Sequence, residues 1–311
     1  MAIEQLSPQP QTLSRKALED GVRTVVTEFL SKCKHSAHIP YTADAAIFER
    51  ECCVEAYRRG YDMSYLTKHL HVGILVSNAT YFYQSNELKL YIAYYTGLML
   101  CVDDNFDYQA DGIIHFMERY QRGEHHPSQV LQNIADLLAE TSSFFDPVAT
   151  NLIMCASFSF MNAMVIEHIT AGMKLPSEAK RYPDYLRLFS GLSKAYSTFI
   201  FRPSTNPAHY IHAFPELEDI INYVNDITSF YKEELAGEDE NTVSLLAKLH
   251  NRSKLDQLRV LADKVVESHH NTCAILQDRK DAYNDYMQFW SGYVPFHAAS
   301  KRYRLSELGI H

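Results

Sequence analysis

The sequence predicts a single all-α domain, one helical bundle spanning residues 1–311, and three observations lead there. Glycine and proline number only 11 each in 311 residues, about 3.5% apiece against average usage of roughly 7% and 5%, so turns are few and long helices favoured. Apolar residues recur at helical spacing in segment after segment, interrupted at the few Gly, Pro and Asn positions. No fixed-period repeat, low-complexity tract or long linker marks a second domain. At 46% hydrophobic and 22% charged residues, a chain of this length can bury a sizeable core without disulfides or a structural metal.

The elements follow in order. The first dozen residues, with Pro8 and Pro10, read as a loose terminus. Thr42 caps a helix that runs to Arg59 and stops at Gly60. Further helices are expected over 62–79, 86–106, 111–121, 128–141, 147–171, 182–200, 216–234, 242–250 and 254–288, with a last one near 291–300. Residues 147–166 carry no charge and are long enough to cross a membrane. Because Asn151, Ser157, Ser159 and Asn162 interrupt the stretch and no basic cluster flanks it, it reads instead as the buried central helix of a bundle.

Composition also excludes functions. The closest glycines, Gly112 and Gly123, are eleven positions apart, so no GxGxxG, P-loop or GxSxG exists. That removes the dinucleotide-binding turn, the Walker-type phosphate loop and the hydrolase nucleophile elbow. A net charge of −9 gives no basic footprint for nucleic acid. The six cysteines form no CxxC and are expected to be free thiols, and the absence of an apolar h-region near residue 1 reads as cytoplasmic. The His125-His126 and His269-His270 pairs are expected near helix ends or exposed faces, without metal.

Chemistry begins where the apolar run LYIAYYTGLMLCV ends in DDNFD, giving Asp103, Asp104 and Asp107. On a continuous helix Asp103 and Asp107 would face the same way, one turn apart, and hard divalent cations relieve the repulsion of such clustered carboxylates. A solvated acidic helix end explains this string equally well. The second string, NDITSFYKE, places Asn225, Ser229 and Glu233 at i, i+4 and i+8. At about 100° per residue they share one face, an amide oxygen, a hydroxyl and a carboxylate able to chelate one hard cation. Lys232 borders that face and can reach a phosphate oxygen.

Together the two strings resemble the aspartate-rich and NDxxSxxxE motifs of the class I terpene synthases, most closely the fungal trichodiene synthase family. They start 122 residues apart, in that family's order. YPDYLRLFSGL, with Arg187 and Gly191, is similar to the family's pyrophosphate-sensing arginine segment on a helix that breaks beside the active site. KRYRL, with Arg302 and Tyr303, is similar to its diphosphate-binding Arg-Tyr pair. The resemblance runs from about residue 60 to 308.

It implies a class I terpene synthase bundle with a central apolar active-site cavity, and a sesquiterpene synthase that ionises farnesyl diphosphate, releases diphosphate and cyclises the allylic cation to a hydrocarbon or alcohol. It implies three Mg²⁺ ions, two on Asp103 and a third on Asn225, Ser229 and Glu233. Asp104 and Asp107 are secondary members of the metal-facing set, Asp104 orienting Arg302 on closure. Arg187, Lys232, Arg302 and Tyr303 bind diphosphate and stabilise its charge. A homodimer is implied by the family, and neither nucleic acid nor membrane is an expected partner. Aromatic faces suit a carbocation cavity, and Phe82, Phe158 and Trp290, with Tyr94 and Phe160, are the candidates. The alternatives are a cyclase of shorter or longer prenyl diphosphates, a chain-elongating prenyl diphosphate synthase, which would carry a second DDxxD at NDITSFYKE, and a non-catalytic helical interaction protein.

Overall fold

A computed structural model describes residues 14–34 and 45–310. Its α-helices are α1 (Arg15–Lys32), α2 (Ala45–Arg58), α3 (Met63–Thr80), α4 (Asn86–Asp103), α5 (Phe106–Ile114), α6 (Phe116–Arg122), α7 (Gln129–Ala139), α8 (Pro147–Thr170), α9 (Tyr182–Ser190), α10 (Ser193–Ile200), α11 (Phe214–Ala236), α12 (Thr242–Leu249), α13 (Lys254–Leu276) and α14 (Lys280–Ala299). No strand occurs among the described residues. The Thr42 cap and the loose first dozen residues lie outside them.

Local chemistry explains most boundaries. Side chains of Asp62, Ser85, Asp146, Asn241 and Ser253 accept hydrogen bonds from backbone N–H groups of the first turns of α3, α4, α8, α12 and α13. Pro147 occupies the first turn of α8, where its missing N–H costs nothing. Four boundaries differ from expectation. The helix expected over 86–106 ends at Asp103, and the one expected over 111–121 is two helices, α5 and α6. The span 182–200 breaks at Gly191 and Leu192, the latter at φ 52°. The span 254–288 breaks after Leu276, where no glycine or proline signals it. α14 then runs through Pro295, because the carbonyl deprived of a partner belongs to Ser291, an exposed residue that water can serve. α1 has no counterpart among the expected spans, although Leu18, Val22, Val25, Val26, Phe29 and Leu30 form a buried helical stripe.

α8 departs from the expectation of an all-round buried helix. Only 39% of its most apolar stretch is buried, while Val148 and Ile169 are exposed. By length and composition it alone among the described helices is able to cross a membrane, yet its inner face packs on α5, α9 and α10.

The helices that carry the site are held by close backbone approach and aromatic packing. α3 and α4 form the most extensive pair, with α14 on α3 and α11 on α13. A methyl group added at Gly73 would collide with the Ala93 carbonyl of α4, so the two backbones touch where only glycine fits. Gly73→Ala is therefore expected to lower unfolding free energy by about 1–3 kcal/mol despite the better helix propensity of alanine. Chemical denaturation checks this, and an unchanged midpoint would contradict so close an approach. Below the pair, Tyr91, Tyr95, Phe145 and Tyr196 surround Phe199 at ring separations of 5.2 to 6.0 Å.

Candidate active site

α4 delivers Asp103 to the mouth of a cavity of about 220 Å³. The wall is mostly apolar and aromatic, including Val76, Tyr81, Met99, Phe160, Tyr293 and Phe296. Arg187, Asn225, Arg302 and Tyr303 join Asp103 in lining it, so chain segments more than a hundred residues apart converge on one space. Arg187, Ser190 and Asn225 also border a more open, polar cleft of about 570 Å³ that includes Glu233, Asp226 and Glu167. The larger cleft is the polar mouth. The smaller, mostly apolar cavity is the one suited to a hydrocarbon.

Asp103 is exposed at the edge of the smaller cavity and makes no hydrogen bond or ion pair among the described residues. Loss of water in the concavity, then the charge of Asp104, raises its carboxyl above the usual range, while Arg302, Arg187 and Lys232 oppose the rise. The Asp103–Asp107 pairing needs correction. α4 stops at Asp103, Asn105 adopts φ −124°, and Asp107 sits exposed in the first turn of a new helix, so one-turn spacing does not relate the two carboxylates. Asp104 contacts α3 rather than Arg302: its Oδ2 lies 3.0 Å from His69 Nε2 and 3.6 Å from Lys68 Nζ.

α11 runs unbroken through Asn225, Ser229 and Glu233, of which Asn225 lines both spaces and Glu233 the larger one. Ser229 is buried and its Oγ makes no hydrogen bond of ordinary geometry. Burial raises the Glu233 carboxyl, offset by the nearby Ser229 hydroxyl and by Lys232, whose Nζ is 3.7 Å from Glu233 Oε1. A buried hydroxyl with no hydrogen bond of ordinary geometry, between an amide and a carboxylate on the same helix, fits a hard oxygen-seeking cation. Among the described residues no three His, Cys, Asp or Glu side chains form a metal group, and the residues that could hold a cation are Asn225, Ser229 and Glu233 on α11 and Asp103 at the end of α4.

Arg187 reaches α11 from α9. Its Nε donates to Asp226 Oδ2 at 3.1 Å, and its NH2 group donates to the Asn222 carbonyl at 3.2 Å and to Asn225 Oδ1 at 3.3 Å. Burial alone would lower the guanidinium pKa, but Asp226 reverses the shift and keeps it charged. Gly191 stands in the chain break beside Arg187, where an added methyl would strike Asn222 Oδ1 and crowd the Arg187 carbonyl. Tyr303 is buried, and its hydroxyl accepts from Asn225 Nδ2 at 3.0 Å. Burial pushes that phenol up to about 12. Arg302, half-buried in a 3-10 turn beyond α14, lines the same cavity.

The aromatic candidates are mostly elsewhere. Phe82 packs on Tyr83, Phe158 on Phe116 and Tyr120, Trp290 on His269 at 3.9 Å, and Tyr94 on Tyr61. None of the four is among the cavity's lining residues, and of the candidates only Phe160 is. Sequence reasoning passed over Tyr81, Tyr196, Tyr293, Phe296 and His297, which do line it, because aromatic spacing does not distinguish a cavity face from a core face. Asp226, read only as part of a motif, proves to be the partner of Arg187.

An all-α bundle with facing carboxylate and Asn/Ser/Glu helices, cationic side chains at the mouth and an aromatic cavity beneath is the arrangement of a class I terpene synthase, a lyase acting on a prenyl diphosphate. Comparison with known proteins agrees. Residues 67–309 match the family model described as Trichodiene synthase (TRI5). The chain is 35% identical over 251 residues to terpene synthase BipA of Cochliobolus sativus, covering 79% of this chain and 77% of that one. It is 30% identical over 306 residues to alpha-cuprenene synthase COP6 of Coprinopsis cinerea, covering 96% and 93%. The crystal structure of germacradien-4-ol synthase from Streptomyces citricolor superposes with a TM-score of 0.58 over 86% of this chain and 99% of the other, at 15% identity, a likeness of fold. The protein belongs to the trichodiene synthase family of terpene synthases.

Proposed function

We propose that the protein is a Mg²⁺-dependent sesquiterpene synthase that ionises farnesyl diphosphate and cyclises the resulting cation to a sesquiterpene hydrocarbon or alcohol. The observation that carries this reading is the convergence of Asp103, Arg187, Asn225, Arg302 and Tyr303 on one aromatic cavity. The fifteen-carbon substrate is supported by the resemblance and by the relative named for alpha-cuprenene. In the same reading the enzyme acts in the cytoplasm, apart from nucleic acid and membrane, as a homodimer.

Departure of diphosphate places negative charge at the mouth, where Arg187, Lys232, Arg302 and the Tyr303 hydroxyl stabilise it. No base is needed to begin. Asp103 on one side and Asn225, Ser229 and Glu233 on the other would hold Mg²⁺, three ions by family resemblance, which when bound neutralises diphosphate as a Lewis acid. Asp104, paired with His69 and Lys68 on α3, and Asp107, exposed on α5, stand outside this set. Below, the faces of Phe160, Tyr293 and Phe296 favour the delocalised cation, and the mostly apolar wall offers water few partners.

Incubation with Mg²⁺ and geranyl, farnesyl or geranylgeranyl diphosphate, followed by analysis of headspace and extract, tests the reading. Cyclic fifteen-carbon products from farnesyl diphosphate are expected. Preferential turnover of another chain length would replace the substrate, and absence of products from all three would remove the activity. Chelation should abolish turnover while far-ultraviolet circular dichroism is unchanged. Glu233→Gln removes the only formal charge among the three α11 donors and should move the Mg²⁺ half-saturation point upward. A superimposable titration curve would contradict the donor assignment.

A further inference from the structure

The cyclisation must end by quenching a cation, which for a hydrocarbon product means giving up a proton, and the mechanism above assigns no residue to that step. Most polar groups in the cavity wall are already committed. The Tyr81 hydroxyl donates to the Tyr196 carbonyl at 3.0 Å, Tyr196 to Thr96 Oγ1 at 3.1 Å, and Tyr293 to the Ile221 carbonyl at 2.8 Å. Burial pushes all three phenols up, so none ionises to serve as a base. Arg187 and Arg302 are cations, and Asp103 stands at the mouth among them.

His297 is different. It lies on α14, is 4% exposed and lines the cavity. Its Nδ1 is 2.9 Å from the Tyr293 carbonyl, which only accepts, so Nδ1 carries the hydrogen and Nε2 carries the lone pair. Nε2, at the far end of the ring from that carbonyl, makes no hydrogen bond among the described residues. The imidazole meets the Tyr293 ring edge-on at 4.2 Å and stacks on the Tyr303 ring at 5.2 Å. Burial holds its pKa down to about 4, so the ring is neutral near pH 7. A base that weak suffices, because a C–H bond next to a carbocation is far more acidic than an imidazolium.

We propose that His297 Nε2 is the base that terminates the reaction. The C–H bond next to the cationic carbon breaks, its electron pair becomes the new carbon–carbon double bond, and the proton forms an N–H bond at Nε2. The positive charge passes to the imidazolium, which burial disfavours, and the proton returns to a diphosphate oxygen at the mouth or to water when the site opens. This rests on the sesquiterpene synthase reading, and the test separates the two.

The full chain with His297→Phe, which keeps a ring between Tyr293 and Tyr303, and with His297→Asn is assayed with farnesyl diphosphate and Mg²⁺ for diphosphate release and product composition. Ionisation uses no base, so diphosphate release serves as the reference against which product composition is read. The share of the main wild-type product should fall at least ~10-fold in favour of olefins and alcohols quenched at other stages. Unchanged product composition at wild-type release overturns the proposal. Reduced release with unchanged composition also overturns it, and assigns His297 to seating Tyr303. Absence of diphosphate release in the wild type would instead remove the underlying reading. Wild-type protein supplies a second measurement that no folding defect can spoil. A farnesyl diphosphate analogue bearing an added vinyl group yields a longer-lived allylic cation, which should alkylate Nε2 and leave an adduct on residue 297 in peptide mapping. Adducts confined to other residues would overturn the assignment.

Discussion

Asp103→Ala is expected to lower kcat/KM by at least ~10²-fold, the scale for losing one electrostatic stabiliser of developing charge, with thermal stability retained. Both halves follow from its place. It is the last residue of α4, exposed to the cavity mouth, with no hydrogen bond or ion pair to lose. Removing it spares the core, and neighbouring protein already raises its carboxyl, so the fold gives up little. Asp107→Ala should cost much less, because Asp107 sits exposed on α5 beyond the chain break. Steady-state kinetics on both variants checks the order. A larger loss at Asp107 would show that the chain rearranges at Asn105 when substrate binds.

Arg187→Ala should destabilise the fold by roughly 3–5 kcal/mol as well as reduce turnover, since it strands a buried carboxylate without its partner. The side chains of Arg187 and Asp226 are only 15% and 11% exposed, and the ion pair measures 2.9 Å. Burial is the main cause raising the Asp226 carboxyl and Arg187 the main force opposing it, so the truncated protein would keep the burial cost and lose its compensation. Replacing both residues by Met and Leu removes the charge along with its partner, and should recover part of the stability but none of the activity. Denaturation of the single and double variants measures this. Equal destabilisation in the two would mean that packing, not the uncompensated charge, sets the loss.

Helical character was legible wherever a single amphipathic or apolar run persisted. α11 spans Phe214–Ala236 against an expected 216–234, and because it is unbroken the i, i+4, i+8 reading of Asn225, Ser229 and Glu233 describes one real face. The same arithmetic failed at Asp103 and Asp107, since it presumes a continuous helix and nothing in CVDDNFD announces that α4 ends at Asp103. Breaks without glycine or proline, as after Leu276, are set by packing between distant segments, which local propensity does not contain. Long-range partners were likewise hidden. Neither His69 against Asp104 nor Asp226 against Arg187 has a sequence signature, because 35 and 39 residues separate them. The cavity aromatics were the least accessible of all: Phe158 and Phe160 are two apart on α8, yet only Phe160 lines the cavity while Phe158 packs on Phe116 and Tyr120.

In the proposed function the two motif helices, the arginines and the cavity form one diphosphate-ionising site. A crystal structure of the full chain with Mg²⁺ and inorganic diphosphate tests it most directly. Metal density is expected against Asp103 and against Asn225, Ser229 and Glu233, with diphosphate oxygens within hydrogen-bond reach of Arg187, Lys232, Arg302 and Tyr303. Diphosphate bound away from Asp103, or metal density that leaves Ser229 Oγ without a partner, would contradict it.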